Sequence, residues 1–208
     1  MIDTVAPPLD LATFRDATLD AVGAALVTSA TTGSPSAIPD VIVHGLTTHR
    51  DPRGTLTELL RADWPDVFGP EMPFQQVYTS MTAPGIARDI DKWHVHQHQT
   101  DRFYCVAGRI VVAIADPRPD SPSQGTVMLV ELAAPADGPA PLLVTIPPRT
   151  LHGFVVTSDG PATLLNFPNR IYDPTDEGRT PFTEAGMTFA DGSPFSYDAV
   201  RAWYATRG

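Results

Sequence analysis

Trp93-His94-Val95-His96-Gln97-His98-Gln99-Thr100-Asp101-Arg102-Phe103-Tyr104-Cys105-Val106-Ala107-Gly108 is the stretch that decides the fold of this 208-residue chain, and it holds three of the six histidines. If His94 to His96 is extended, alternation puts both imidazoles on one face and Val95 on the other. Gln97 to Thr100 then reads as a turn, and Asp101 to Val106 as the returning strand, closed by Gly108. Such a hairpin aims two imidazoles and one carboxylate at a common spot. His98 falls in the turn and is expected to face solvent. Far along the chain, Ile146-Pro147-Pro148-Arg149-Thr150-Leu151-His152-Gly153-Phe154 can bring His152 to the same place. A His/His/Asp/His set suits either a divalent metal or proton transfer.

Working outward, the sequence divides into short β-like runs. Val41 to His44, Thr55 to Leu60 and Gln75 to Thr82 precede the hairpin, with Asp51-Pro52-Arg53-Gly54 as the turn between the first two. Arg109 to Ala115, Val127 to Leu132, Leu142 to Ile146, Phe154 to Thr157 and Ala162 to Phe167 follow it. The 22 prolines and 15 glycines separate these runs by turns, which indicates a sandwich or jelly-roll barrel rather than a parallel α/β sheet. Leu9 to Val27 has apolar residues at helical spacing, Thr28 to Pro39 reads as a linker, and Ser196 to Thr206 as a short helix capped by Ser196. The expected organisation is an N-terminal helix and linker over residues 1–40, a β domain over 41–180 and a helical tail over 181–208.

A net charge of −10 argues against a nucleic-acid backbone or an anionic membrane as the main partner, yet leaves room for a diphosphate held by local arginines. No run is long and apolar enough to span a bilayer, and the start lacks the pattern of a signal peptide. Cys105, the single cysteine, cannot form an intramolecular disulfide. It reads as a small core residue in a reduced, cytoplasmic setting.

The hairpin and the His152 segment resemble the two motifs of the cupin superfamily, with Asp101 where glutamate is usual and Arg149 where glycine is usual. The wider chain, roughly Val41 to Gly178, resembles the dTDP-4-dehydrorhamnose 3,5-epimerase family within the cupins. That resemblance rests on Asp51-Pro52-Arg53-Gly54 with Glu58, Gln76 with Ser80, Asp116 to Gly125, Ile146-Pro147 with His152-Gly153-Phe154, and Tyr172-Asp173-Pro174. It implies an all-β cupin jelly roll, flanked here by the N-terminal helix and the short C-terminal helix, and a homodimer.

The same resemblance assigns roles. Setting Lys92-Trp93-His94 on the family's Gly-Leu-His makes His94 the base, with His96 an added neighbour; a gap-free register puts Asp91 there instead. The first keeps both histidines on the hairpin. The family's enolate-stabilising lysine is Asp101 here, and its proton-returning tyrosine falls at Asn166. Arg53, Glu58 and Gln76 match nucleotide-binding positions, Tyr78 stands where the family often has asparagine, and Trp93 is a candidate pocket wall or a core residue. Asp198 matches the acid that orients the base.

The leading expectation is an isomerase or epimerase acting on a ketone, a nucleotide-linked keto sugar, with His94 as base, His96 assisting and His152 polarising the carbonyl. A second is a metal-dependent cupin, a dioxygenase, lyase or decarboxylase, with His94, His96, Asp101 and His152 ligating Fe, Mn, Ni or Zn. The third is a sugar-binding cupin without catalysis, a reading kept open by Asn166.

Overall fold

The computed structural model describes residues 25–27, 37–65, 67–136, 141–189 and 191–206. Two sheets face each other, antiparallel throughout except for the pairing of the first strand. The six-stranded sheet runs β1 (Ala25–Val27), β9 (Val127–Ala133), β8 (Arg109–Ala115), β11 (Leu151–Val156), β6 (Lys92–His96), β13 (Glu177–Pro181). The five-stranded sheet runs β2 (Ile42–Gly45), β10 (Leu142–Ile146), β7 (Asp101–Ala107), β12 (Ala162–Asn166), β5 (Tyr78–Thr82). A separate hairpin pairs β3 (Thr48–Asp51) with β4 (Gly54–Thr57) through the turn read at Asp51 to Gly54. The jelly roll implied by the resemblance is therefore the architecture found.

Period-two alternation explains the layers. On β8, Ile110, Val112 and Ile114 point between the sheets, where they meet Phe103 and Cys105 of β7, Val144 of β10 and Phe154 of β11. Val111 and Ala113 point outward and are covered by the C-terminal tail through Phe195, Tyr197, Val200 and Trp203. Burying large apolar side chains there contributes about 1.5–3 kcal/mol each. α1 (Phe182–Ala185) and α2 (Tyr197–Ala205) belong to this tail; Ser196 caps α2, its hydroxyl accepting from the Ala199 amide at 3.2 Å. Gly153 on β11 lets the tail come this close, since a Cβ there would collide with the Tyr197 hydroxyl.

On its other face the five-stranded sheet holds a buried cation. Arg102 is fully buried, and its guanidinium donates to the carbonyls of Phe167 (2.6 Å), Val67 (2.7 Å), Met72 (3.1 Å) and Pro73 (2.8 Å). Burial pushes its pKa down to about 10, with the Asp101 charge pulling the other way.

Two expectations change. The N-terminal helix lies mostly outside the described residues, but Ala25–Val27, read as its last turn, form a strand parallel to β9. That pairing satisfies backbone groups that β9 would otherwise expose at a sheet edge. The strand β13 was not expected at all. Among the described residues no helix is long and apolar enough to cross a membrane.

Candidate active site

The histidines converge because β6 and β11 are neighbours. His94 and His152 are directly opposite in the antiparallel ladder, and both point between the sheets. β13 pairs with the other edge of β6, setting Glu177 opposite His96 and Arg179 opposite His94. Asp101 and Phe103 face these residues from β7 of the other sheet. Between them lies a cavity of about 310 Å³, lined also by Gln76, Tyr78, Ser80, Arg88, Asp89, Gln99 and Tyr172.

The polar contacts are dense. His94 Nε2 is 3.0 Å from His96 Nε2. Gln99 Nε2 donates to Asp101 Oδ1 at 2.8 Å and stands 3.1 Å from His96 Nε2. One amide hydrogen goes to each, so His96 Nε2 is an acceptor and the ring hydrogen sits on Nδ1. That Nδ1 lies 3.5 Å from Asp176 Oδ2, longer than a formed hydrogen bond, while Asp176 also accepts from the amides of Gln97, His98 and Gln99. His94 Nδ1 lies 3.8 Å from Glu177 Oε1. His152 has Nε2 3.2 Å from Asp101 Oδ2 and Nδ1 3.2 Å from the Thr150 carbonyl oxygen. Nδ1 makes the formed hydrogen bond, while Nε2 lies beside the Asp101 carboxylate without one.

Electrostatics separates these groups. His94 is held down to about 4, by burial first and then by the neighbouring His152 and His96. Burial likewise lowers His96, against the pull of Asp101. Burial alone would raise the Asp101 pKa, but the hydrogen bond and charge of His152, the charge of His96 and the Asn166 amide outweigh it and hold the carboxyl at about 2. At neutral pH the site therefore contains two neutral imidazoles and a carboxylate beside a third histidine.

The predicted residues divide by location. His94, His96, Asp101, His152, Gln76 and Tyr78 line the cavity. Asn166 is fully buried behind it, donating from Nδ2 to Asp101 Oδ1 and to the Tyr78 hydroxyl, each at 2.8 Å, and accepting from the Arg102 amide at 3.0 Å. It has no free hydrogen to give a substrate and acts as a link between strands. Trp93 is not a pocket wall: alternation on β6 turns it outward, against Phe182 and Phe195 of the tail. Arg53 and Glu58 do not reach the cavity within one chain; Arg53 is paired with Asp51 and Glu58 with Arg61, all exposed. Asp198 is exposed and paired with Arg201. The carboxylates beside the imidazoles are instead Asp176 and Glu177, which sequence reading missed although they directly follow the Tyr172-Asp173-Pro174 motif. His98 stays outside the cavity, as expected for the turn.

The four residues read as alternative metal ligands are gathered, but their donor atoms are committed to one another. Asp101 Oδ1 accepts two amide hydrogens and Oδ2 faces His152. Among the described residues no group of three or more His, Cys, Asp or Glu is arranged to hold a metal ion.

Comparison with known proteins agrees with this geometry. The chain is 39% identical over 149 residues, 70% of its length and 88% of the relative's, to a probable low-salt glycan biosynthesis epimerase, Agl13, of Haloferax volcanii. It is 30% identical over 154 residues, 73% of its length and 95% of the relative's, to the spore coat polysaccharide biosynthesis protein SpsL of Bacillus subtilis. A dTDP sugar isomerase from Desulfovibrio desulfuricans superposes with a TM-score of 0.64 at 26% identity, covering 78% of this chain and 93% of that one. NovW, a 4-keto-6-deoxy sugar epimerase from Streptomyces spheroides, shares the fold at a TM-score of 0.63 and 24% identity, covering 82% and 89%. The sequence profile of the dTDP-4-dehydrorhamnose 3,5-epimerase family matches residues 35–189, and the chain belongs to that family.

Proposed function

We propose that this chain epimerises a nucleotide-linked 4-keto sugar, removing a proton α to the ketone with His94. The observation that carries the reading is the contrast between two histidines facing each other across one ladder position. His94 is a neutral imidazole able to accept a proton, while His152 is placed by its Nδ1 contact to the Thr150 carbonyl and has Nε2 beside the Asp101 carboxylate. The α hydrogen of a ketone is too weak an acid to leave unless the developing oxyanion is stabilised, and His152 supplies that stabilisation from beside the base. In this chain the group beside the oxyanion is an imidazole placed next to a carboxylate. His96, with its Nε2 3.0 Å from that of His94, receives the proton onward.

The substrate class follows from family membership and from the rim. Arg88 lines the cavity, with its guanidinium bonded to the Thr82 hydroxyl and the Met81 carbonyl rather than to a carboxylate, which leaves its charge available to a phosphate. The reading includes a homodimer. The β3–β4 hairpin stands apart from both sheets, Leu56 on it is exposed, and β5 is a sheet edge with Met81 exposed. A second subunit would cover these surfaces and give Arg53 and Glu58 a ligand to meet.

The test is deuterium wash-in from heavy water into dTDP-4-keto-6-deoxyglucose, followed by proton NMR. The native chain is expected to exchange an α proton, and His94→Ala to abolish the exchange. A native chain that binds the sugar without exchange refutes the catalytic reading. Light scattering at micromolar concentration is expected to give twice the chain mass.

A further inference from the structure

The imidazoles of the site all belong to the six-stranded sheet, so they approach a bound sugar from one side. We propose that Tyr78, on the facing five-stranded sheet, is the catalytic acid that returns a proton to the opposite face of the same carbon. The inference rests on the function proposed above and adds the residue that turns proton removal into inversion.

Register sets the phenol in place. β5 pairs with β12 so that Tyr78 lies directly opposite Asn166, and both point between the sheets. The Asn166 Nδ2 donates to the Tyr78 hydroxyl oxygen at 2.8 Å, and the same nitrogen donates to Asp101 Oδ1 at 2.8 Å. Asn166 is itself fixed, because its Oδ1 accepts from the Arg102 amide at 3.0 Å. The phenol oxygen is thus an acceptor in this contact, and its own hydrogen must point elsewhere. Among the described residues it donates to none, and the side chain lines the cavity that holds His94 and His152.

The wiring also favours the product of the transfer. When Tyr78 gives up its hydrogen, the phenolate keeps the Asn166 N–H, which stabilises it. Burial and the Asp101 charge act in the opposite sense and keep the phenol protonated beforehand. Tyr172, the other pocket tyrosine, differs on both counts. It is 58% exposed against 43% for Tyr78, and its hydroxyl is bonded to Glu177, on the same sheet as His94.

The step balances without redox chemistry. His94 takes the α hydrogen, the C–H electron pair moves into the enolate, and the oxyanion rests against His152. The pair then returns to carbon, forming a C–H bond with the Tyr78 hydrogen on the other face. The phenolate and the imidazolium exchange protons with water to reset the site.

The experiment uses full-length native, Tyr78→Phe and Tyr172→Phe chains with dTDP-4-keto-6-deoxyglucose in heavy water. Proton NMR reads two quantities together: deuterium at the α carbon, and ring coupling constants that report configuration. Tyr78→Phe is expected to keep deuterium wash-in with retained configuration while inversion falls about 10²-fold or more. Tyr172→Phe is expected to keep the ratio of inversion to wash-in at the native value, whatever it does to substrate affinity. Undiminished inversion in Tyr78→Phe, or its loss in Tyr172→Phe alone, overturns the assignment and leaves the His94 reading intact. Exchange without inversion in the native chain also overturns it. A native chain that does neither refutes the parent reading and this one together. Circular dichroism on both variants separates misfolding from lost chemistry, and Tyr78→Phe, which removes one atom, keeps the ring packing.

Discussion

Asp101 and His152 meet at 3.2 Å with both side chains almost wholly removed from water, one on each sheet. This pair closes the bottom of the cavity and ties the sheets together. Removing the Asp101 carboxylate orphans the buried Gln99 and Asn166 amide hydrogens that it accepts, at about 1–3 kcal/mol for each group left unsatisfied. Asp101→Ala is expected to lose stability on that scale in urea titration. His152→Ala is expected to lower α-proton exchange by about 10²-fold or more, as for loss of an oxyanion donor.

The second prediction concerns pH. His94 is pushed down to about 4 by burial and by its imidazole neighbours, so it remains a competent base well below the range of a free histidine. The acid limb of kcat/KM is expected near pH 4 instead of near pH 6.5. The same shift affects stability. The unfolded chain takes up this proton from about pH 6.5 downward, while the folded site resists until about 4. His94 therefore contributes fully above pH 6.5, and the contribution is lost as pH falls towards 4. Urea midpoints should drop between pH 7 and pH 5, and His94→Gln should reduce that drop.

Chelation should not matter. Dialysis against EDTA is expected to leave exchange unchanged, because Asp101 Oδ1 already accepts from Gln99 and Asn166 and Oδ2 faces His152. Activity lost on chelation and restored by Mn, Fe, Ni or Zn would return His94, His96, Asp101 and His152 to the role of ligands. His98→Ala is expected to be silent in either case, its ring lying outside the cavity.

Arg149 carries a backbone cost. Its φ is 62°, the left-handed region that costs a residue with a side chain roughly 1–2 kcal/mol. The strain is held by the Arg149 amide, which donates to the His96 carbonyl at 2.7 Å. Arg149→Gly keeps that bond and removes the strain. It is expected to stabilise the fold by up to about 1 kcal/mol, read as a raised thermal midpoint.

The hairpin, the central strands and the histidine cluster were legible because alternation is strict there. β8 and β10 fall on the runs Arg109 to Ala115 and Leu142 to Ile146 as read. Trp93 was decipherable by the same rule: once His94 and His96 face inward, Trp93 cannot. β13 was not, since Glu-Gly-Arg-Thr-Pro has no apolar alternation and is held by backbone pairing to β6. With it went Asp176 and Glu177. Tyr78 and Asn166 were read as two separate departures from the family, one on the binding side and one on the catalytic side. Sequence does not reveal that they are register partners, and only pairing shows that the asparagine serves the tyrosine. Arg53 and Glu58 were matched by motif, which carries no information on whether they reach this chain's own cavity, and they do not.

The carbonyl cage around Arg102 restricts what evolution can substitute there. Four backbone oxygens, from Phe167 and from three residues between Val67 and Pro73, converge on one flat group with five N–H hydrogens. A lysine brings three hydrogens on a single nitrogen and would orphan at least one carbonyl; a glutamine brings two. The position is in effect closed to nineteen of the twenty amino acids. The segment that leads to Gln76 and Tyr78 is consequently fixed from beneath.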